Sequence, residues 1–139
     1  MRVSIILVMA LSFGLVLVCG SEMSPREVAI EFVGAVIEDD SLALETCFDV
    51  DSMVKRRMLE VPTDQTPAEV KDQILSNLQG DGGTRVFWKS MTPVVGEELV
   101  VRDTAQVEVT FLDKEFGKYH HYKVFLYHSD KGWRVFFFL

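Results

Sequence analysis

Thr104-Ala105-Gln106-Val107-Glu108-Val109-Thr110-Phe111-Leu112 alternates polar and apolar side chains with a period of two. Ala105, Val107, Val109 and Phe111 share one face of such a strand, and Thr104, Gln106, Glu108 and Thr110 share the other. One face is therefore buried and one is wet. Downstream, Tyr119 to His128 and Trp133 to Leu139 are rich in aromatic and β-branched residues, and Ser129-Asp130-Lys131-Gly132 separates them as a hairpin turn would. Unlike the first strand, these two are apolar on both faces. Their second face needs a cover, which could be a curled sheet around a cavity, a partner subunit, a hydrophobic ligand or closer helix packing. Upstream, Glu97 to Val101 reads as a strand turned at Arg102-Asp103, and Arg85 to Met91 as a strand closed by Pro93.

The chain before Gly83 has the other period. Ser24-Pro25-Arg26-Glu27 places a cap, a proline at the first helical position and a glutamate three residues after the cap. Val28, Ala29, Phe32, Val33, Val36 and Ile37 then recur at helical spacing. Asp39-Asp40 ends this helix and caps a short one, Ser41 to Cys47. Asp49-Val50-Asp51 opens another, with Met53, Val54, Met58 and Leu59 as core candidates, and Pro62 stops it. Thr66-Pro67-Ala68-Glu69 repeats the first start signal, with Val70, Ile74 and Leu78 on one stripe. Gly80 to Gly83 reads as a loop. No strand precedes these glycines and no Gly-Lys-Ser/Thr follows, so they do not form a phosphate cradle. Lys55-Arg56-Arg57 reads as a solvated helix face. Helices first and an antiparallel meander afterwards define an α+β fold, with the helices packed on one sheet face.

Residues 1–20 carry a different message. Met1-Arg2 supplies one positive charge, Val3 to Val18 is an apolar run, and small residues follow at Cys19-Gly20-Ser21. This is the layout of a secretory signal. Cys19 at its exit points to a lipoprotein whose cysteine is acylated, although Val18 stands where that pattern wants a small residue. Cleavage after Gly20 also fits. An uncleaved anchor fits least, because the run falls short of the roughly 20 residues of a spanning helix. The expected product is an exported protein, periplasmic or at the cell surface, lipid-anchored or secreted. Its one domain spans residues 24–139.

The charge balance narrows the partners. There are 14 Lys and Arg against 21 Asp and Glu, a net charge of −7. An acidic surface repels phosphates, so nucleic acid is not an expected partner, and membrane contact is expected only through the N-terminus. Beyond Cys19 only Cys47 remains, so no internal disulfide is available to the mature domain. Flanked by Thr46 and Phe48, Cys47 reads as a small buried hydrophobe.

The exported N-terminus, Ser24-Pro25 opening the first helix, Asp39-Asp40-Ser41-Leu42-Ala43 opening the second, and the terminal Asp130-Lys131-Gly132-Trp133-Arg134-Val135 together resemble the nuclear transport factor 2-like superfamily. The nearest flavour is its lumazine-binding-like group of small bacterial lipoproteins. The resemblance covers Ser24 to Leu139 and rests on the order of the motifs. It implies a cystatin-like cone: helices closing one side of a strongly curved sheet around an internal pocket. It does not imply a function, since the superfamily holds isomerases, dehydratases, binding modules and dimerisation modules.

An isomerase-like site would need a carboxylate base and a hydrogen-bond donor in the pocket. Tyr119-His120-His121-Tyr122 is the richest polar-aromatic cluster, and Asp49 is the best-placed carboxylate by chain order. His120 and His121 point to opposite faces of a strand, and His120 and His128 stand about 26 Å apart along one. Neither pair suits a metal, and no metal or other cofactor is expected. The pocket candidates are Tyr119, His120, Tyr122, Trp133 and Phe137. Which of them line the cone depends on the hairpin register, which stays open: Trp133 shares a face either with Tyr127 and Phe125, or with His128, Leu126, Val124 and Tyr122. No catalytic residue is nominated. The leading expectation is non-catalytic binding of a small apolar ligand or a protein partner. The alternatives are an isomerase- or hydrolase-like enzyme with its site in the cone, and a structural or assembly subunit. A homodimer through the exposed sheet face is expected, because Phe136 and Phe138, or Trp133 and Phe137, would otherwise meet water.

Lipidation gives a direct test. Membrane-extracted protein should begin at Cys19 and carry several acyl chains, since one chain anchors only weakly. Cys19→Ser should release the protein or block its maturation. An unmodified N-terminus at Ser21 or Glu22 in the intact mass would sink the lipoprotein reading.

Overall fold

The computed structural model describes residues 22–139, so the segment read as an export signal, with Cys19, lies outside the described residues. Five helices lead: α1 (Pro25–Glu38), α2 (Ser41–Cys47), α3 (Val50–Glu60), α4 (Pro67–Leu78) and α5 (Gly83–Lys89). Four strands follow: β1 (Thr92–Val101), β2 (Thr104–Asp113), β3 (Lys118–Ser129) and β4 (Gly132–Phe138). They pair antiparallel in chain order. The α+β architecture expected from the change of period is the one observed.

The helix starts follow from their caps. Ser24 Oγ accepts the Glu27 N–H at 3.2 Å while Glu27 accepts the Ser24 N–H at 2.9 Å. Thr66 and Glu69 make the same reciprocal pair at 3.2 and 2.8 Å. Each box satisfies two backbone groups that a helix end leaves open. Asp40 and Asp49 cap α2 and α3 through their carboxylates. The stripe Val28, Ala29, Phe32, Val33 and Val36 buries α1 against the inner sheet face formed by Ala105, Val107, Val109, Phe111, Val124, Leu126 and Val135.

One expected strand is a helix. Arg85 to Met91 reads as extended because Val86, Phe87 and Trp88 have strand propensity, yet Gly83–Lys89 is α5. Tertiary packing overrides propensity here. A helix places Trp88 in the centre of the core, fully buried, stacked on Phe111 at 4.9 Å and edge-on to Phe32, Tyr122 and Phe138. Gly82 makes the approach possible, because a Cβ there would collide with the Ser76 and Asn77 backbone at the end of α4. Pro93 does not end a strand. It sits inside β1, an edge strand, where a missing N–H need not break a ladder.

The last hairpin takes the second of the two open registers, with His128 opposite Trp133 and Ser129 opposite Gly132. Gly132 has φ +95° and lies against Glu22, whose carboxylate meets His128 Nε2 at 2.8 Å. A bulge then breaks the alternation, so Phe125 pairs with Phe137 and Leu126 with Val135. Phe136 is the extra residue. The bulge returns Phe138 to the inner face, where it packs on Phe32, Phe48 and Trp88.

The second face of β3 and β4 is partly covered from α3. The Arg56 guanidinium lies 3.9 Å over the Phe137 ring and 5.9 Å from Phe125, and it pairs with Glu60 at 2.9 Å. Arg56 is therefore not part of a simply solvated helix face; its charge and planar head shield two aromatic rings. Phe138 is in the core and Phe137 is under Arg56, so the residues from which a dimer face was expected do not stand bare. The free side of β4 is also closed. Phe48 bridges Val135 in parallel, and the Asp49 N–H donates to the Val135 carbonyl at 2.7 Å.

Removing the Trp88 indole should cost more than any surface change. Trp88→Ala is expected to lower unfolding stability by about 3–5 kcal/mol, read from urea midpoints with the slope checked for two-state behaviour. A loss below about 1 kcal/mol would contradict the central place given to this side chain.

Candidate functional site

The sequence candidates are distributed over both sheet faces. His120 and Tyr122 lie on the inner face opposite Phe111 and Val109. Tyr119 lies on the outer face opposite Leu112 and is 63% exposed. Phe137 is on the outer face under Arg56, and Trp133 is on the inner face at the hairpin end, 5.1 Å from the His128 ring. Only His120 and Tyr122 come together, and α5 brings them their neighbours. Phe87 meets the His120 ring at 5.0 Å, and Trp88 meets Tyr122 at 5.4 Å.

Phe87, Trp88, Phe111, His120 and Tyr122 thus form one aromatic group at the inner face. Its polar atoms are unusual. Trp88 Nε1 is buried and has no hydrogen-bond acceptor. A buried N–H with no partner costs about 1–3 kcal/mol, which a ligand or water acceptor would recover. Tyr122 and His120 are half-buried and make no side-chain hydrogen bond among the described residues, whereas His121 on the other face meets Thr110 Oγ1 at 3.2 Å. Three polar groups therefore sit among these rings without an internal partner, one of them fully buried. Trp88 and Phe87 were missed at the sequence level because their segment reads as a strand. The one available signal was a tryptophan between Gly82-Gly83 and Pro93, too large to leave exposed.

A second feature is a cleft of about 360 Å³ between α2, α3, α4 and β4, lined by Leu44, Phe48, Asp49, Lys71, Leu75 and Arg134 among others. Asp49 is its central carboxylate. Oδ1 accepts the Ser52 N–H at 3.1 Å, and Oδ2 accepts the Ser52 hydroxyl at 2.7 Å and the Tyr127 hydroxyl at 2.6 Å. Arg134 Nη2 donates to the Glu45 and Phe48 carbonyls at 3.1 Å. Partial burial works against the Asp49 charge, but the bonds from Tyr127 and Ser52, with Arg134 nearby, hold its carboxyl below the usual range. The same bond, with burial, pushes the Tyr127 hydroxyl up. A carboxylate so engaged is a helix cap and a poor proton acceptor.

Cys47, the remaining thiol, is buried against the α2 backbone. Burial, with Glu31 adding to it, pushes its pKa up to about 12. Burial thus holds it in the thiol form, which disfavours nucleophilic chemistry. Among the described residues, no three His, Cys, Asp or Glu side chains converge as metal ligands would, and no helix is long and apolar enough to cross a membrane.

No protein-family model matches the sequence, and no curated protein matches it. Among solved structures it is similar to a Campylobacter jejuni protein provisionally named an NTF2-like transpeptidase, known from a crystal structure at 2.00 Å. The two share 20% sequence identity at a TM-score of 0.56, over 81% of this chain and 97% of the other. With the helix order and the antiparallel sheet, this likeness defines a nuclear transport factor 2-like fold. At that identity it establishes the fold alone.

The Asp49 cap sets an acid dependence. A carboxyl whose pKa is lowered by folding stabilises the fold above its unfolded value of about 3.9. That contribution is lost as pH falls through the lower folded value. Tyr127→Phe should raise the Asp49 pKa and reduce stability at neutral pH, and the difference from wild type should shrink below about pH 4. Urea midpoints across this range check it. A constant offset at every pH would show that Tyr127 acts through packing alone.

Proposed function

We propose that the chain is an exported, lipid-anchored binding module that holds a small, largely aromatic molecule against the Trp88–Tyr122–His120 group. One observation carries this reading: a fully buried indole N–H without an acceptor, placed among aromatic rings beside two further polar groups that have no internal partner. Binding sites of this kind combine apolar and aromatic walls with a few polar groups that fix orientation. The matching ligand has a flat apolar body and a carbonyl-like acceptor, and it reaches the buried Trp88 N–H only where the core opens between α5 and the sheet to admit it.

The site chemistry favours binding over catalysis. The best carboxylate, Asp49, is spent on capping α3 and lies on the Tyr127 side of the sheet, away from His120 and Tyr122. The transpeptidase name of the Campylobacter protein finds no support in Cys47, whose burial keeps it protonated. An assembly role would need a broad bare apolar face, and the aromatic rings of β3 and β4 are instead partly shielded by Arg56.

Dansylamide, a neutral aromatic with sulfonyl acceptors, is a suitable probe for an acidic protein. In a Trp133→Phe background, where Trp88 is the only tryptophan, it should quench indole emission and gain its own. Trp88→Phe keeps an aromatic ring but removes the N–H, and should weaken binding about fivefold, the equivalent of one hydrogen bond. Tyr122→Phe should weaken it by a similar factor if its hydroxyl contributes. No response to the probe, or an affinity unchanged by Trp88→Phe, would overturn the assignment.

A further inference from the structure

The cleft between α2, α3, α4 and β4, about 360 Å³ in volume, has the size of a small-molecule site and shares no lining residue with the Trp88 group. Its walls are held by bonds already formed. Asp49 fixes one side through Ser52 and Tyr127, and its N–H pins the start of α3 to the Val135 carbonyl of β4. Arg134 Nη2 is held by the Glu45 and Phe48 carbonyls at the end of α2. Leu44, Phe48 and Leu75 supply apolar lining.

The charges that line this cleft are unequally committed. Asp49 already accepts three hydrogen bonds, and Asp51 pairs with Lys71 at 3.0 Å. One group of each sign is left over. Arg134 makes no ion pair among the described residues, and its Nε and Nη1 donors make no hydrogen bond there, although a guanidinium offers five N–H groups in all. The Glu45 carboxylate is exposed and accepts no donor among the described residues. Because the Glu45 carbonyl itself holds Arg134, these two free charges stand close together at the end of α2. A bare anion would leave Glu45 unmatched, and a bare cation would leave Arg134 unmatched. The complement is a molecule with one charge of each sign at one end and an apolar body.

We infer that this cleft binds a small aliphatic zwitterion, a free α-amino acid or a short peptide. Its carboxylate sits on the free N–H groups of Arg134, its ammonium on the Glu45 carboxylate, and its side chain against Leu44 and Leu75. An amino acid suits the site because its two charges share one carbon, as the two free charges of the cleft share one helix end. Arg134 is already fixed by the α2 carbonyls, so little side-chain freedom is lost when it takes a carboxylate. The Lys71–Asp51 pair adds no net charge to the lining.

Titration of the purified chain with L-leucine, followed by two-dimensional NMR, tests the site. The amides of Glu45, Lys71 and Leu75 should shift and saturate. Isoamylamine, the leucine skeleton without its carboxylate, should bind about tenfold more weakly, the loss of one charge-assisted hydrogen bond. Isocaproate, the skeleton without its ammonium, should bind about threefold more weakly, because Glu45 is exposed. Glu45→Gln alters a side chain with no internal partner, so the fold should be kept and the preference for leucine over isocaproate erased. Arg134→Gln should abolish binding; if it fails to fold by circular dichroism, the two analogues and Glu45→Gln decide. Leucine that shifts none of these amides, or that binds no tighter than either analogue, overturns the inference. So does a preference over isocaproate that survives Glu45→Gln.

Discussion

The stacking of Trp88 on Phe111 is the contact on which the rest of the core depends. Among the described residues, five helices and four strands bury one sheet face. Trp88 joins the layers there, touching Phe32 on α1, Phe111 and Tyr122 on the sheet, and Phe138 on β4. Aromatic pairs in stacked and edge-on geometries contribute about 0.5–1.5 kcal/mol each beyond the area they bury. The same indole leaves its N–H without an acceptor. The residue that consolidates the core therefore also carries an unsatisfied buried donor, as Arg85 does at Nε.

Much of the remaining polar chemistry is committed to architecture. Asp40 and Asp49 cap helices, Arg26 closes part of the β1 edge, and Arg56 lies over Phe137. Arg85 joins the end of α1 to the loop after α4 through the Ile37 and Gly80 carbonyls. Each of these groups would look like a candidate site residue if judged by type alone. Their hydrogen bonds show otherwise: a carboxylate already accepting three donors has little capacity left for a substrate proton. At the inner aromatic group, the polar atoms without an internal partner are the Trp88 N–H, the Tyr122 hydroxyl and the His120 ring.

The sheet also shows why strand patterning is only a partial guide to faces. The alternating β2 reads correctly because one side is solvent. The aromatic runs of β3 and β4 carry no such contrast, so the hairpin register and the Phe136 bulge leave little trace in the pattern. The cover over their second face comes from Arg56, about eighty residues earlier. A guanidinium stacked on a ring is not a hydrophobic signal, so a basic run on a helix reads as solvated until its partner is known.

The sequence by itself determined the local choices. The capping boxes at Ser24 and Thr66, the aspartate caps at Asp40 and Asp49, the helical stripe of α1 and the period-two strand β2 all depend on neighbours within a few residues. Together they specify helices before an antiparallel meander, and so the fold class. Tertiary structure alone decided that Val86-Phe87-Trp88 is helical, that His128 faces Trp133, that Asp49 is bound by Tyr127, that His120 meets Phe87 and that Tyr122 meets Trp88. Each of these rests on contacts between segments far apart in the chain. Their energy comes from burying large side chains against surfaces that exist only once the sheet has formed, and no local pattern encodes it.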